Sequence, residues 1–194
     1  QQIGVSDSEP QTIAVKAKLA NILILQSKNE EALELFTEID KNTEQWSQKR
    51  RELFVLNGSR VDVLYKIGKI NDGIEIAQKI LNRQIQRFGE KHFESAYARG
   101  DLGRGYQLIG KPDEAIKEYQ KAIPILVGSL GEKAEEDDVT VLAARKVKLQ
   151  ALVENYISLL NHQGDLPRAI SDGFSFFFKS STIANSFSFK SIDA

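Results

Sequence analysis

Residues 105–111 (GYQLIGK) combine the glycine spacing and the lysine of a phosphate-binding P-loop. Such a loop requires a preceding β-strand, so that backbone amides meet the phosphate at the start of a helix. Here the preceding residues (SAYARGDLGRG) have helical periodicity and no β-branched run. Pro112 also stands where the motif has its magnesium-binding hydroxyl. The glycines are therefore interpreted as helix-packing and helix-ending residues.

No other group of residues has the spacing of a catalytic or metal site. His92 and His162 are the only histidines, lie far apart in the chain and lack a partner at metal-ligand spacing. The acidic residues 131–138 lack the alternation and glycine of a calcium loop, so a charged helix start is expected. The sequence contains no cysteine. We therefore expect no enzymatic activity, no cofactor and no metal.

Charge and hydropathy also argue against nucleic acid and membrane as partners. The 26 Lys and Arg residues nearly balance the 27 Asp and Glu residues. The basic clusters at 49–51 and 145–148 are not interleaved with aromatic residues, which favours solvated helix faces or contacts to a neighbouring domain. No apolar run approaches the roughly 20 residues that span a bilayer. No signal peptide is visible, which favours a cytoplasmic location, and the absence of methionine even at position 1 suggests a processed or excised piece.

A short turn recurs four times along the chain. The copies are QSKNEEALELFTEI, KIGKINDGIEIAQKI, LIGKPDEAIKEYQKAI and NHQGDLPRAISDGF. Each copy ends one helix, turns within about three residues and starts another helix that has a small residue early in it. These small residues are Ala32, Gly73, Ala115 and Ala169, at intervals of 41, 42 and 54 residues. The pattern predicts an all-α right-handed superhelical array of about four antiparallel helix pairs.

The expected organisation has three parts. Residues 1–11 form a flexible N-terminal segment, and residues 12–178 form the repeat array. Residues 179–194 form a C-terminal aromatic segment that either caps the array or links it to a following domain. Six of the ten phenylalanines lie between Phe174 and Phe189. Such a segment needs cover, by packing on the last helix pair or by docking to a partner.

The third copy carries the fullest pattern, with the residues Leu102, Gly103, Tyr106, Gly110, Ala115, Tyr119 and Ala122. On these residues the chain resembles the tetratricopeptide repeat family. The repeat is longer than usual for that family and resembles the kinesin-light-chain type of array. Residues 130–174 resemble the segment that precedes the CHAT (caspase-like) domain in bacterial proteins, on the features Arg145–Lys148, Tyr156–Leu160 and Gly164-Asp165.

The resemblance implies a noncatalytic scaffold that binds a partner peptide or helix in a concave groove. The residues that precede the small residues by eleven positions should face this groove. They are Asn21, Asp62, Arg104 and Ser158. Tyr97, Gln107, Asn155 and Asn161 are further candidates. Only Asn21 matches the carboxylate-clamp pattern of the family, which disfavours binding of a chaperone tail.

Two alternative functions remain open at this point. The array could be the N-terminal regulatory part of a CHAT-type cysteine protease, with a following protease-like domain of the same chain as its partner. It could instead be a homo-oligomerisation module that buries the C-terminal aromatic segment between copies.

Overall fold

The computed structural model describes residues 7–132 and 139–165, together with Pro167 and Ser171. Within these residues the chain is all-α and contains no strand, as predicted. The helices are α1 (Pro10–Leu25), α2 (Asn29–Asn42), α3 (Gln48–Val55), α4 (Gly58–Lys66), α5 (Ile70–Phe88), α6 (Phe93–Leu108), α7 (Pro112–Glu132) and α8 (Val139–His162). Helix α1 begins inside the segment 1–11 that was expected to precede the array, because Pro10 suits the first turn of a helix.

The chain divides into two compact units, Gln1–Gln84 and Ile85–Ala194. In the first unit α1 and α2 form an antiparallel hairpin, and α4 packs on α2. In the second unit α6 and α7 form the hairpin, and α8 packs on both of its helices. The three predicted turns after α1, α4 and α6 are therefore present, and a fourth follows α8.

Each of these turns contains one residue with positive φ, which we call the turn residue. The turn residues are Ser27 (61°), Gly68 (81°), Gly110 (71°) and Gly164 (76°). In three of the turns the next amide bonds back to a carbonyl five residues earlier. These bonds are Lys28 N to Leu23 O (2.9 Å), Lys111 N to Tyr106 O (2.9 Å) and Asp165 N to Leu160 O (3.0 Å). The bonds satisfy carbonyls at the helix end that would otherwise lack a partner.

Helix α3 is the element that sequence reasoning missed. It lies between α2 and α4 and accounts for part of the long interval between the first two repeats. Arg83 of α5 donates hydrogen bonds to the carbonyls of Glu52 (2.6 Å) and Leu56 (3.3 Å). The end of α3 is thus held by a residue distant in sequence, which local patterns do not reveal.

The small residues of the repeat pattern lie where the two helices of a hairpin meet. Ala32, Gly73 and Ala115 are buried. A Cβ atom added to Gly103 would lie 2.8 Å from Cε1 of Tyr119 and 3.3 Å from the carbonyl oxygen of Ala115. Ala169, most of residues 166–194 and with them the aromatic segment 174–189 lie outside the described residues.

Each unit has its own apolar core. In the first unit the core contains Ile13, Ala20, Ala32, Phe36, Ile39 and Val63. In the second unit it centres on Tyr119 and Tyr156, whose rings meet edge to face with centroids 6.2 Å apart. Their hydroxyl groups have partners, because Tyr119 donates to Gln107 Oε1 (2.9 Å) and Tyr156 accepts from Gln120 Nε2 (3.2 Å).

Candidate partner-binding surface

Helices α6 and α8 of the second unit are parallel neighbours. The guanidinium carbon of Arg145 lies 4.1 Å from the ring centroid of Phe93. One turn further along both helices, Lys148 Nζ lies 5.2 Å from the ring centroid of Tyr97. The Tyr97 hydroxyl donates to the carbonyl of Arg145 at 3.4 Å. Residue numbers rise together along the two helices, which defines a parallel pair.

A glycine allows the two helices to approach. Gly100 is buried, and a Cβ atom there would collide with the side chain of Leu152. The contact between Gly100 and Leu152 fits the same parallel alignment of α6 and α8 as the contact between Tyr97 and Lys148. With about 3.6 residues per turn on both helices, the same register places Arg104 level with Asn155.

The outward stripe of α6 consists of Tyr97, Asp101, Arg104 and Leu108, which are spaced to share one face. All four are at least partly exposed, whereas most of the other residues of this helix are buried. On α8 the corresponding stripe carries Lys148, Asn155 and Ser158. We define the α6–α8 surface by Tyr97, Arg104, Arg145, Lys148, Asn155 and Ser158.

Burial moves the titration of the Tyr97 hydroxyl to higher pH. Desolvation of its hydroxyl raises the pKa to about 12, although the nearby positive charge of Arg145 partly opposes this rise. The phenol is neutral at physiological pH, as an unshifted phenol would also be. Its hydroxyl can still accept a hydrogen bond while it donates to the carbonyl of Arg145.

The predicted groove residues are distributed over both units. Asn21 is exposed on α1, and Asp62 is half-buried on α4, both in the first unit. In the second unit Tyr97, Arg104, Asn155 and Ser158 share the α6–α8 surface. All of these assignments to a groove stay predictions.

Two predicted groove residues lie apart from the α6–α8 surface. Gln107 is held by the hydroxyl of Tyr119 on α7. Asn161 is exposed near the end of α8, rotated by about 120° from Asn155 around the helix axis. Their places in a groove also stay predictions.

The basic cluster at 145–148 has aromatic neighbours, contrary to the expectation from the sequence. Phe93 and Tyr97 of α6 lie against Arg145 and Lys148 of α8. Neighbours along the chain do not show this, because helix packing brings the residues together. The one sequence signal is the spacing of Phe93 and Tyr97, one turn apart on α6.

The two histidines lie at helix ends. His92 caps α6 by accepting from the amide of Glu94 (3.3 Å), and its ring stacks on Phe88 with centroids 4.5 Å apart. A ring nitrogen of His162 lies 2.7 Å from the carbonyl oxygen of Ser158, one turn back on α8. Neither histidine belongs to a group of three potential metal ligands within the described residues.

The other candidate motifs are also placed by the structure. Residues 105–111 form the end of α6 and the following turn, so the glycines lie in a helix hairpin. Most of the acidic segment 131–138 lies outside the described residues. Of the helices described here, none has the length and apolar character needed to cross a membrane.

Comparison with known proteins agrees with this architecture. The family model of the tetratricopeptide repeat matches residues 52–126. Two similar solved structures contain the nearly identical TPR-like repeats of a chain assigned to kinesin light chain of Podosopora anserina. The first of them, a form with a single substitution, has 14% identity and a TM-score of 0.66, and the match covers 92% of this chain and 79% of that chain. The other form has 14% identity and a TM-score of 0.52, with 93% and 99% covered.

No curated protein matches the sequence. At 14% identity the likeness to solved structures establishes the fold. Tetratricopeptide repeats are generally scaffolds for protein interaction and typically have no enzymatic activity. Residues 52–126 thus match the tetratricopeptide repeat model, and the fold of the described residues is that of a tetratricopeptide-repeat solenoid.

Proposed function

We propose that the chain is a noncatalytic protein-interaction scaffold that binds a partner peptide or helix along the α6–α8 surface. The parallel packing of α6 and α8, seen in the contacts of Tyr97 with Arg145 and Lys148, supports this proposal. Extending the helical register from these contacts assigns Arg104, Asn155 and Ser158 to the same face as Tyr97. In arrays of stacked hairpins, such first helices line the concave side, which is the usual binding surface.

The chemistry of the surface suits an extended or helical peptide. The amide of Asn155 offers both donors and an acceptor, and Ser158 contributes an exposed hydroxyl. Tyr97 presents a half-buried aromatic ring that is already fixed by Arg145 and Lys148. A ring that is ordered before binding loses little conformational entropy when the partner arrives.

Selection from a display library of random peptides tests the proposal. Selected peptides should bind the intact chain and lose about tenfold or more in affinity to the R104A/N155A variant. The matched control is Lys117→Ala, since Lys117 is exposed on α7. Circular dichroism would verify that each variant is folded. Recovery of no binding peptide, or equal affinity for all three proteins, would contradict the proposal.

A narrower form of the proposal makes a following CHAT-type domain the regulated partner. Its support is the resemblance of residues 130–174 to the segment that precedes such domains in bacterial proteins. The intact mass of the protein purified from its own cells tests this form. A mass close to 21.7 kDa would rule out a following domain in the same chain.

A further inference from the structure

A groove lies in the first unit between α2 and the turn that follows α4. Its volume is about 620 Å³, within the range of about 300–1,000 Å³ that is typical of ligand sites. Ile67 and Lys69, on either side of the turn residue Gly68, line it from the turn. Helix α2 lines it with Glu30, Leu33, Glu34, Thr37 and Glu38. We call this site the α2 groove.

The α2 groove has an apolar floor and a mainly acidic rim. Leu33 and Ile67 are half-buried, whereas the other lining residues are exposed. Glu30, Glu34 and Glu38 follow one another at four-residue spacing, so they lie along one face of the helix. The floor can receive an apolar side chain of a ligand, and the carboxylates of the rim attract positive charge.

The carboxylates of the α2 groove differ in their partners. Lys16 of α1 donates to Glu38 at 3.0 Å. Glu30 and Glu34 make no hydrogen bond and no ion pair within the part of the chain that the structure describes, and neither does Lys69. Like charges one helical turn apart repel each other. A cation bound between Glu30 and Glu34 would relieve this repulsion.

The equivalent place in the second unit is bridged by a hydrogen bond. Asp113 follows its turn residue by three positions, as Glu30 does. Gln163 directly precedes the next turn residue, as Ile67 does. Gln163 Nε2 donates to Asp113 Oδ1 at 3.1 Å. The side chain of isoleucine has no donor, so the first unit cannot form this bridge, and an open space remains between α2 and the turn.

Burial and charge also differ between the two places. Ile116, the equivalent of Leu33, is 6% exposed, whereas Leu33 is half-buried. Two positions that are acidic on the wall of the α2 groove carry lysines on α7, namely Lys117 and Lys121. The repeat fold therefore requires neither the open space nor the acidic wall, which favours a separate role for the α2 groove.

We propose that the α2 groove binds a basic segment of a partner protein. An apolar side chain of that segment rests on Leu33 and Ile67, and neighbouring Lys or Arg side chains pair with Glu30 and Glu34. Such pairs are charge-assisted contacts that add specificity to the apolar contact. The α2 groove shares no residue with the α6–α8 surface, so the inference does not depend on binding there.

Charge complementarity selects this occupant over others. The lining carries three carboxylates and one ammonium group, which disfavours nucleic acid and acidic peptides. The three glutamates form no group that could hold a metal ion within the described residues, and an apolar floor does not serve a site for a hard cation. A peptide that combines basic and apolar side chains matches both the rim and the floor.

Selection from a phage-displayed library of random twelve-residue peptides on the intact chain tests the proposal. Peptides with Lys or Arg beside an apolar residue should be recovered, and they should bind E30Q/E34Q about tenfold or more weakly than the wild-type chain. Thr37→Arg should weaken their binding as strongly, because the new side chain fills the groove and opposes its acidic rim. All three positions are exposed, and circular dichroism would verify that each variant is folded.

Three controls accompany this test. The matched variant is E31Q/E44Q, which removes two exposed carboxylates outside the α2 groove and should leave the affinity unchanged. R104A/N155A should bind the same peptides as tightly as the wild-type chain does. A twelve-residue oligolysine should bind at least about tenfold more weakly than the selected peptides, because it lacks the apolar side chain.

Four results would overturn the proposal. The first is a selection that yields no basic peptide. The second is an equal loss of affinity in E30Q/E34Q and E31Q/E44Q, which would indicate general attraction to acidic surface. The third is a loss confined to R104A/N155A, which would support binding at the α6–α8 surface and contradict binding in the α2 groove. The fourth is oligolysine that binds as tightly as the selected peptides.

Discussion

The hairpins α1–α2 and α6–α7 share one pattern but differ in how deeply their first helices are buried. Both have a small residue at the crossing and a fully buried aromatic residue on the second helix, Phe36 or Tyr119. Helix α6 buries eight residues, whereas α1 buries only Ile13 and Ala20. The pattern therefore determines the interior of a hairpin, and the neighbouring helices determine how much of the remaining surface is covered.

Removal of the buried aromatic residue should have the largest effect, and the effect should be similar in both hairpins. Phe36→Ala and Tyr119→Ala should each lower the free energy of unfolding by about 3–5 kcal/mol, because each leaves a large cavity. Urea unfolding measured by circular dichroism checks both variants, and fluorescence of Trp46 reports on the first unit. Leu108→Ala, at an exposed position, is the control. A loss of less than about 1 kcal/mol in the free energy of unfolding at either site would contradict the expected similarity of the two hairpins.

Substitutions where the two helices of a hairpin cross should affect stability for different reasons in α6 and in α1. Gly103→Ala should cost about 1–3 kcal/mol, because the new Cβ would lie 2.8 Å from the ring of Tyr119. The equivalent residue of α1 is Ala20, where a Cβ is already accommodated, so Ala20→Gly should instead cost about 1 kcal/mol in helix propensity. Urea midpoints of the two variants measure both costs. A neutral Gly103→Ala would show that the crossing of α6 and α7 has room for a methyl group.

Substitutions of the turn residues Ser27 and Gly110 should change the free energy of unfolding in opposite directions. Ser27 has a positive φ without being glycine, so Ser27→Gly should stabilise the first unit by about 1 kcal/mol. Gly110→Ser should destabilise the second unit by a similar amount, since a Cβ disfavours that conformation. Thermal unfolding of the two variants tests the pair. A change of the same sign in both would mean that side-chain contacts outweigh backbone conformation at one of the turns.

The last expected effect is a pH dependence that the second unit owes to Tyr97; this dependence is absent at physiological pH and confined to alkaline pH. The pKa of Tyr97 is about 12 in the folded chain and near 10 when unfolded. The unfolded chain therefore releases this proton first, and the stability gained from the neutral phenol is lost as pH rises from about 10 to 12. Stability measured across this window should fall less steeply for Tyr97→Phe. Equal slopes for both proteins would show that the phenol titrates alike in the two states.

Sequence reasoning predicted the fold because its signals are local. A glycine at a turn, a proline in a first turn and a small residue at a crossing act through nearby backbone geometry, as at Gly110, Pro112 and Ala115. Helix α3 was missed because its end is held by Arg83, which lies 27 and 31 residues away from its two acceptors. The local residues alone give no sign of that contact.

The candidate surface was predicted only in part. Equal offsets from the turn select Arg104 and Ser158 as candidates for one face, and their role in binding stays a prediction. The side-chain oxygen of Gln107 accepts a hydrogen bond from Tyr119, and the place of Gln107 in a groove stays a prediction. The aromatic neighbours of Arg145 and Lys148 were not foreseen.

The sequence by itself thus determined the paired helices of the repeats, their turns and the repeat register, because these depend on residues a few positions apart. The tertiary structure alone decided how far equivalent positions are covered. Leu33 and Ile116 occupy equivalent positions, yet Leu33 is half-buried and Ile116 is 6% exposed. The physical reason is that burial depends on the element that packs alongside. In the second unit Gln163 ties that element to Asp113 of α7, whereas in the first unit a groove remains between Ile67 and α2.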